Sequence, residues 1–251
     1  MDKTLAQIAV CGRTPHRVQR FHRGVWRDFE DVVTEECRLA IRWKDAAAGR
    51  EGAANLRTWP HDLGDLAAGH ALLETDPTMP KRAVVTQTGD RAFLVLLEPA
   101  PVDTGGEQAF QSLPADVLLE AMRVFIAAPG HWEATGCFHR AGVFDPREGV
   151  MMVRVEDIGR HNCLDRLTGW ANRNETGFAD KVLLVSARFT GSLAAKALRA
   201  GFRVLVSRSA VTTDAIAQVQ ETGAALIGFA RPEEDRLTLF SDALGRVDAG
   251  K

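Results

Sequence analysis

The fold class of this chain is decided by residues 182–231, VLLVSARFTGSLAAKALRAGFRVLVSRSAVTTDAIAQVQETGAALIGFAR. Three short aliphatic runs in this stretch are typical of buried strands: 182–185, 204–206 and 225–229. Two segments between them, 192–200 and 213–222, have helical spacing, and each is followed by a glycine, which commonly ends a helix. Strands that alternate with helices of about ten residues indicate βα units on a mainly parallel sheet. The sequence therefore predicts an α/β fold.

The rest of the chain divides into two parts of different character. Toward the N-terminus the βα pattern continues with a predicted strand at 150–155 and predicted helices at 161–170 and 114–127, the last beginning at Pro114. Residues 99–106 (PAPVDTGG) have linker composition, so we place a domain boundary here, with an N-terminal domain at 1–112 and a C-terminal domain at 113–251. The N-terminal part is predicted to be strand-rich: a strand at 31–43, a loop at 45–55, a helix at 62–74 capped by Asp62, and a hairpin at 83–98.

Composition excludes several classes of protein. The 251 residues include 31 basic and 33 acidic side chains, a net charge of −2, which argues against broad electrostatic binding to nucleic acid. No apolar run has the length of a membrane helix, and the first ten residues do not resemble a signal peptide, so we expect a cytoplasmic protein. The four cysteines are Cys11, Cys37, Cys137 and Cys163. No two of them form a CxxC pair, which excludes zinc ribbons and thioredoxin-type redox sites.

The densest group of polar residues is EDIGRHNCLDR at 156–166, between a predicted strand and a predicted helix. A helix N-terminus offers free N–H groups to an anion, Arg160 can donate two hydrogen bonds to a phosphate, and His161 titrates near neutral pH. Similar loops follow the other strands and contain Arg188, Arg208 with Ser209, and Arg231. Ligands of open α/β sheets bind at the carboxyl ends of the strands. The repetition predicts a pocket for a polyanion, although each loop alone is equally typical of a solvated turn.

Cys137 and His139 form a second candidate pair, in TGCFHR at 135–140. Such a pair is typical of a nucleophile with its base or of metal ligands, but a small buried cysteine is an equally ordinary explanation. The sequence contains no GxGxxG, GxxxxGK[ST], GxSxG or HExxH motif, and it lacks the HxE and PCxxC motifs of zinc deaminases.

Several of these motifs resemble the FdhD family, the formate dehydrogenase accessory sulfurtransferases. EDIGRHNCLDR is similar to the family's EDxGRHNxxDK, and TGCFHRAGVFD is similar to TGGxHxAxxF. SARFTGSLAAKALRAGFRVLVSRSAVTTDAIAQ and TGAALIGFAR match later segments of the family. EECRLAIR and NLRTWPHDLGDLAAGHALLET match its N-terminal half, so the resemblance covers roughly residues 31–98 and 113–241.

The resemblance implies a C-terminal α/β sandwich like that of cytidine deaminase and a smaller strand-rich N-terminal domain. It also implies transfer of sulfur from a cysteine desulfurase to the molybdenum cofactor, bis-molybdopterin guanine dinucleotide, before the cofactor enters formate dehydrogenase. It further implies a homodimer. The guanine nucleotide moieties of that cofactor agree with a polyanion pocket. The cofactor-binding residues predicted from the motifs and the loops together are Glu156, Asp157, Arg160, His161, Asn162, Asp165, Arg188, Arg208, Ser209, Phe229, Ala230, Arg231, Pro232, Glu233 and Glu234.

One departure from the family concerns the chemistry itself. The family carries sulfur as a persulfide on a CxxC loop between its domains, and the corresponding residues here, 99–113, contain no cysteine. A persulfide needs a nucleophilic thiolate. Three hypotheses follow: a cofactor maturation protein in which Cys137 substitutes as sulfur carrier, a cofactor-binding chaperone without catalysis, and a nucleotide or pterin hydrolase with His139 or Glu156 as base.

Overall fold

The computed structural model describes residues 13–75, 81–100 and 112–248. Its strands are β1 Arg13–His22, β2 Val25–Thr34, β3 Cys37–Asp45, β4 Arg50–Thr58, β5 Lys81–Gly89, β6 Ala92–Pro99, β7 Leu113–Pro114, β8 His139–Asp145, β9 Val150–Asp157, β10 Val182–Val185, β11 Val204–Ser207, β12 Ala225–Arg231, β13 Arg236–Asp242 and β14 Val247–Asp248. Its helices are α1 Leu63–Leu73, α2 Ala115–Ala127, α3 Trp132–Thr135, α4 Arg160–Arg173, α5 Gly191–Arg199 and α6 Thr213–Thr222, with a 3-10 turn at Pro232–Glu234. No helix in these described ranges is long and apolar enough to cross a membrane.

The C-terminal part is a three-layer α/β sandwich. Its six-stranded sheet has the order β13-β12-β11-β10-β8-β9, in which β10, β11 and β12 are parallel. Alternate residues of β10 face opposite layers: Leu183 and Val185 pack in the cluster with α4, α5 and α6, and Val182 and Leu184 pack in the cluster with α2. Burial on both faces explains why these strands are continuous aliphatic runs.

The N-terminal part is a smaller α+β unit. Its four-stranded sheet has the order β4-β3-β6-β5, and β3 lies parallel to β6. Helix α1 covers one face, where Leu39, Ile41 and Val95 form a core with Leu66 and Ala67. The opposite face, which carries the alternate residues of each strand, is covered by no described residue.

The two parts are joined by a close crossing of α1 and α4. A Cβ atom placed on Gly69 would lie 1.8 Å from the backbone oxygen of Asp165, and one placed on Gly169 would lie 1.9 Å from the backbone oxygen of Asp65. Glycine on both helices therefore permits a backbone approach that any side chain at these positions would prevent.

Strands β1 and β2 form an antiparallel hairpin, which we call the arm. All ten residue pairs of the two strands are in register, from Arg13 opposite Thr34 at its base to His22 opposite Val25 at its tip. Most of its residues are exposed on both faces. At the base, the hydroxyl groups of Thr34 and Thr135 are hydrogen-bonded at 3.1 Å.

Most predicted elements of the C-terminal part are confirmed. The structure forms the α/β fold, the helix at 213–222 has the predicted bounds, and the predicted strands at 150–155, 204–206 and 225–229 each extend by one or two further residues. The helix predicted at 62–74 and the hairpin at 83–98 are also present. The linker predicted at 99–106 lies almost wholly outside the described residues, so the domain division remains a prediction.

Three local predictions are wrong. The single strand expected at 31–43 is two strands, because Glu35 and Glu36 interrupt it between the arm and β3. The loop expected at 45–55 is mostly strand β4, whose small residues pair with β3 across a four-residue turn. Asp62 precedes α1 but its side chain makes no capping hydrogen bond, and its φ is +43°.

Candidate functional site

The carboxyl ends of four strands meet at one edge of the six-stranded sheet. Strand β8 is antiparallel to both β9 and β10, so β9 runs parallel to β10, β11 and β12. His139, the first residue of β8, lies opposite Asp157, the last residue of β9, and therefore lies at the same edge. The loops that the sequence singled out thus lie along one edge, as ligand sites of such sheets require.

Four basic side chains come together at this edge, and we call them the basic cluster: His139, Arg160, His161 and Arg188. Burial lowers the pKa of the His139 imidazole, and the nearby Arg160 and Arg188 guanidinium groups lower it further. Burial likewise lowers the pKa of His161, with Lys196 and Arg160 adding to the effect. Both imidazoles are therefore neutral at pH 7, and the positive charge of the cluster resides on the two arginines.

Arg160 is the residue best placed to hold an anion. It begins α4, where backbone N–H groups have no helical partner, and Gly159 before it is in an extended conformation. Its Nε is buried and has no hydrogen-bond partner among the described residues. A buried guanidinium nitrogen without an acceptor is costly, and a phosphate oxygen would satisfy it.

The sequence analysis missed Ser192, which extends the basic cluster. The Oγ atom of Ser192 lies 3.1 Å from Nε2 of His161 and 3.2 Å from Oγ1 of Thr190, in the second position of α5. A cavity of about 360 Å³ adjoins this pair. Its lining includes His70, Glu74, His161, Ser192, Lys196 and Arg199. A serine in the first turn of a helix is a recognisable signal, but it is too common to single out alone.

The Asp157 carboxylate is enclosed by hydrogen-bond donors and is not open to solvent. Its side chain is fully buried and accepts hydrogen bonds from Thr58 Oγ1 at 2.6 Å, from Asn162 Nδ2 at 2.9 Å and from Arg166 Nε at 2.8 Å. The Gly159 N–H also donates to it at 2.9 Å. Since Thr58 belongs to the N-terminal part, this carboxylate joins the two parts of the molecule.

Asn162 and Asp165, also predicted to bind the cofactor, face the same joint. Asn162 Nδ2 donates to the backbone oxygen of Arg57 at 2.8 Å as well as to Asp157. The Asp165 carboxylate is 1% exposed and lies 2.6 Å from Nζ of Lys196 and 3.6 Å from Nδ1 of His70 in α1. The structure thus places Arg160 and His161 of the 156–166 motif at the open edge, and Asp157, Asn162, Asp165 and Arg166 at the joint. Asn162 and Asp165 also line the cavity beside Ser192.

Glu156 is engaged by Arg140. Its Oε1 accepts from Arg140 Nε at 2.6 Å, its Oε2 accepts from the His131 N–H at 2.8 Å, and its side chain is 8% exposed. Arg140 also binds Glu133. To act as a general base, Glu156 would first have to break this buried ion pair with Arg140.

The remaining predicted residues lie beyond β11 and β12, in what we call the arginine–glutamate group. Arg208 pairs with Glu233, and Glu234 pairs with Arg231 at 2.8 Å and with Arg236 at 2.7 Å. Nε of Arg208 is nevertheless buried without a hydrogen-bond partner among the described residues.

Phe229 sits at an irregular point of β12. Its φ is +50°, the pairing with β13 shifts between Gly228 and Arg231, and its N–H donates to the Ser209 backbone oxygen at 2.9 Å. Ala230 is fully buried and Pro232 begins the 3-10 turn. The guanidinium carbon of Arg231 lies 5.5 Å from the centroid of the Phe229 ring.

Among the described cysteines, Cys137 alone is exposed. Cys37 and Cys163 are buried, and burial raises the pKa of both thiols, so neither is poised to form a thiolate. Cys137 lies in the loop before β8, two residues from His139, and its N–H donates to Thr135 Oγ1 at 3.3 Å. Cys11 lies outside the described residues.

Comparison with known proteins gives the family. The model of the FdhD/NarQ family matches residues 78–246, which is two thirds of the chain and includes the whole basic cluster. The chain belongs to the FdhD/NarQ family. The resemblance inferred from the motifs is thereby confirmed.

Individual relatives agree with this assignment. The sulfur carrier protein FdhD of Nocardia farcinica is 38% identical over 140 residues, 55% of this chain and 50% of that protein. Protein FdhD of Methanocaldococcus jannaschii is 40% identical over 101 residues, 40% of this chain and 44% of that protein. The chain thus spans about half the length of these relatives. The sulfur carrier protein FdhD of Listeria monocytogenes is 25% identical over 252 residues, 90% of this chain and 95% of that protein.

A solved structure shares the fold. The crystal structure of a proposed formate dehydrogenase accessory protein from Desulfotalea psychrophila covers 94% of this chain and 99% of its own, with a TM-score of 0.74 and 20% identity. At that identity the likeness concerns the fold alone. It extends over both the sandwich and the N-terminal unit of this FdhD/NarQ chain.

Proposed function

We propose that this FdhD/NarQ protein binds a guanine nucleotide ligand at the basic cluster, and that this ligand is the guanine dinucleotide form of the molybdenum cofactor. Its role is then cofactor maturation for an enzyme of the formate dehydrogenase type. Family membership supports the role, and the names of the relatives support the connection with formate dehydrogenase and sulfur carriage.

The observation that carries the proposal is the unneutralised charge at the strand ends. Arg160 has a buried Nε without an acceptor, Arg188 is exposed with no ion-pair partner among the described residues, and both lie near His139. No described carboxylate forms an ion pair with either arginine. Two guanidinium groups at a helix N-terminus fit the donor set that a pyrophosphate requires.

Calorimetric titration with GDP tests the proposal, because GDP contains the phosphate and guanine parts of the ligand. Arg160→Ala should weaken binding by about 1.5–3 kcal/mol, the contribution of hydrogen bonds to a charged group. Arg123→Ala is a matched control, because Arg123 is an exposed arginine on α2 whose one ion-pair partner in the described part of the chain is Glu120. Absence of heat with both GDP and the intact cofactor, or equal loss in the two variants, would contradict the proposal.

Sulfur transfer is a second candidate function, and the exposure of Cys137 favours it. Persulfide formation needs an accessible thiol, and Cys137 meets that condition where Cys37 and Cys163 do not. After incubation with a cysteine desulfurase and cysteine, the mass of the chain should rise by one sulfur atom. Cys137→Ser should remain unmodified, whereas Cys163→Ser should gain the sulfur. An unchanged mass in the wild-type chain would contradict sulfur transfer and favour the cofactor-binding chaperone.

A further inference from the structure

The end of the arm exposes a compact group of large apolar side chains. Residues 20–27 (RFHRGVWR), which we call the tip, are all exposed, and Phe21, Val25 and Trp26 are 57%, 50% and 64% exposed. The rings of Phe21 and Trp26 are in contact, with centroids 5.3 Å apart. A two-stranded hairpin packed against nothing is marginal in water, and exposed apolar patches commonly mark interaction sites. The tip therefore has the character of a contact site.

The turn that closes the arm holds these side chains at its end. Arg23 and Gly24 form a two-residue connection between His22 and Val25, and both have a positive φ, +50° and +83°. Such a connection matches the twist of the strands on either side of it. Because all ten residue pairs behind the turn are in register, the tip projects on a regular ribbon about 30 Å long.

Charge is unevenly distributed along the arm. The tip contains three arginines and no acidic residue, whereas residues 28–31 contain three carboxylates. Arg20 pairs with Asp31 at 3.0 Å. Arg23 and Arg27 have no ion-pair partner among the described residues. The arm thus presents an apolar end with two uncompensated positive charges, followed by carboxylates.

This order of groups fits the interface of an anionic membrane. Tryptophan and other aromatic side chains concentrate at the level of the lipid head groups. An arginine beside them keeps its guanidinium group among the phosphates while its methylene stem lies along apolar surface. Each basic residue close to an anionic leaflet also adds electrostatic attraction. Phe21, Trp26, Arg23 and Arg27 supply these groups together at one end of the molecule.

The carboxylates limit how far the arm can enter a lipid surface. Asp28 lies opposite Gln19, three residue pairs behind the last pair of the hairpin, His22 and Val25. At about 3.4 Å a residue pair, the part of the arm in front of Asp28 is about 10 Å long. Surface-bound elements bury their apolar groups to a depth of about 5–10 Å. The tip can therefore reach the boundary between head groups and acyl chains while Asp28 remains in water.

A nucleic acid fits the same end of the arm less well. Single-stranded nucleic acids stack their bases on aromatic rings that have a free face. The rings of Phe21 and Trp26 pack against each other, and the guanidinium carbon of Arg20 lies 3.4 Å from the centroid of the Phe29 ring. The carboxylates that follow the tip would also face the phosphates of a longer strand. We therefore take a lipid surface as the partner of the tip.

We propose that the tip of the arm is a docking element for an anionic lipid surface, through which the protein associates reversibly with a membrane. Phe21, Val25 and Trp26 enter the head-group region, and the guanidinium groups of Arg23 and Arg27 contact lipid phosphates. The association is reversible because three apolar side chains provide far less buried area than a spanning segment. It is independent of the basic cluster, since no residue of the tip belongs to that cluster.

Vesicle flotation of the full-length chain tests this association. We expect the chain to float with vesicles that contain phosphatidylglycerol, to stay unbound with phosphatidylcholine alone, and to dissociate as salt is raised. Phe21→Ala with Trp26→Ala should weaken binding at least about tenfold, because the apolar contact is lost. Arg23→Glu with Arg27→Glu should have an effect of at least the same size, because the tip then repels the lipid. All four positions are exposed, so circular dichroism should show folded chains.

Matched controls change the same kinds of side chain elsewhere. Leu244→Ala removes an apolar side chain that is 64% exposed in the C-terminal part, and Arg123→Glu reverses an exposed arginine of α2. Neither substitution should alter flotation. Trp26→Phe retains an apolar ring and should still bind, but it should remove the quenching of tryptophan fluorescence by brominated lipids.

Several results would overturn the proposal. They are the absence of the chain from the floating fraction at low salt, equal binding to neutral vesicles, flotation that survives both tip variants, and quenching that is unchanged in Trp26→Phe. Anisotropy of labelled single-stranded and duplex oligonucleotides should show no binding that depends on Arg23 and Arg27, and sedimentation should give the same oligomeric state with and without the tip substitutions. Either an oligonucleotide bound through these arginines or a changed oligomeric state would assign the tip to another partner and overturn the proposal.

Discussion

At the scale of single residues, we expect Asp157 to contribute more to the free energy of unfolding than any charged residue on the surface. It accepts from Thr58, Gly159, Asn162 and Arg166 with no exposure to solvent. We expect Asp157→Asn to lower the free energy of unfolding by about 3–5 kcal/mol, because it leaves the Arg166 charge buried and unpaired. Urea denaturation measures the loss.

Glu98→Gln is the corresponding control for Asp157→Asn. Glu98 pairs with Arg82, and the two side chains are 43% and 65% exposed, so loss of the ion pair should cost less than about 1 kcal/mol. Equal losses for the two substitutions would show that Asp157 does not have the structural role assigned to it.

Lowering the pH should reduce the stability of the protein but strengthen its binding of anions, because both depend on the two histidines of the basic cluster. The pKa values of His139 and His161 are lowered from the ordinary 6.5, so the unfolded chain takes up protons at these residues before the folded chain does. The free energy of unfolding should therefore fall as the pH drops below about 6.5. Thermal melting at pH 7.5 and pH 5.5 measures it, and His161→Gln should reduce the difference.

Anion binding should instead strengthen at lower pH. A bound phosphate favours the imidazolium forms, so GDP binding takes up protons, and each added charge-assisted contact is worth about 1.5–3 kcal/mol. Titrations of GDP at pH 8 and pH 6, in buffers of different ionisation enthalpy, report both affinity and proton uptake. Affinity that does not change with pH would contradict a role for the two histidines at the anion.

The sequence predicted the residues that meet at the open edge of the sheet, but it did not predict the hydrogen bonds that other residues of the motif make at the joint. Arg160, His161 and Arg188 follow strands, so their convergence was predictable from strand order alone. The environments of Asp157 and Asn162 depend on Thr58 and Arg57, about a hundred residues earlier, and no local pattern reveals such a contact. Ser192 was missed for the same reason, since its significance rests on the proximity of His161.

At the scale of elements, the crossing of α1 and α4 tolerates no added volume. A Cβ atom on Gly169 would collide with the backbone of Asp65, which cannot move as a flexible side chain could. Gly169→Ala should therefore destabilise the protein by about 1–3 kcal/mol, despite the better helix propensity of alanine. Chemical denaturation of the purified variant measures this.

Gly64→Ala in α1 is the matched control for the crossing. Nothing lies within 4 Å of a Cβ atom at this position, so only helix propensity changes, and stability should rise by about 0.5–1 kcal/mol. Two glycine-to-alanine changes in the contacting helices should thus have opposite signs. The same sign for both would mean that α1 and α4 are not as close as described.

The elements that sequence analysis predicted well are those whose pattern reflects their burial. Strands β10 and β11 are buried on both faces, and α6 has Thr212 as its N-cap and Gly223 after its last turn. Strand β4 was mistaken for a loop because Gly52, Ala53 and Ala54 show no hydrophobic alternation. Its pairing with β3 comes from tertiary context, which routinely overrides weak local propensity.

At the scale of the whole molecule, the N-terminal unit and the sandwich should unfold together. The glycine crossing and the Asp157 network connect them, so neither can open without exposing buried charge. Hydrogen exchange should give amides of β6 and β11 similar opening free energies, and Gly169→Ala should lower that of β6 first. Independent opening of β6 in the wild-type chain would contradict this coupling.

Four residues of the 156–166 motif face the joint between the two parts of the molecule: Asp157, Asn162, Asp165 and Arg166. These four residues serve the architecture, so a relative that has abandoned its ligand would still have to keep them to fold. A relative that retains the 156–166 motif therefore retains the joint between the two parts of the fold, and this retention is weak evidence for ligand binding. Within the motif, Arg160 and His161 belong to the basic cluster, so their loss in an otherwise intact motif would indicate a relative that no longer binds an anion there.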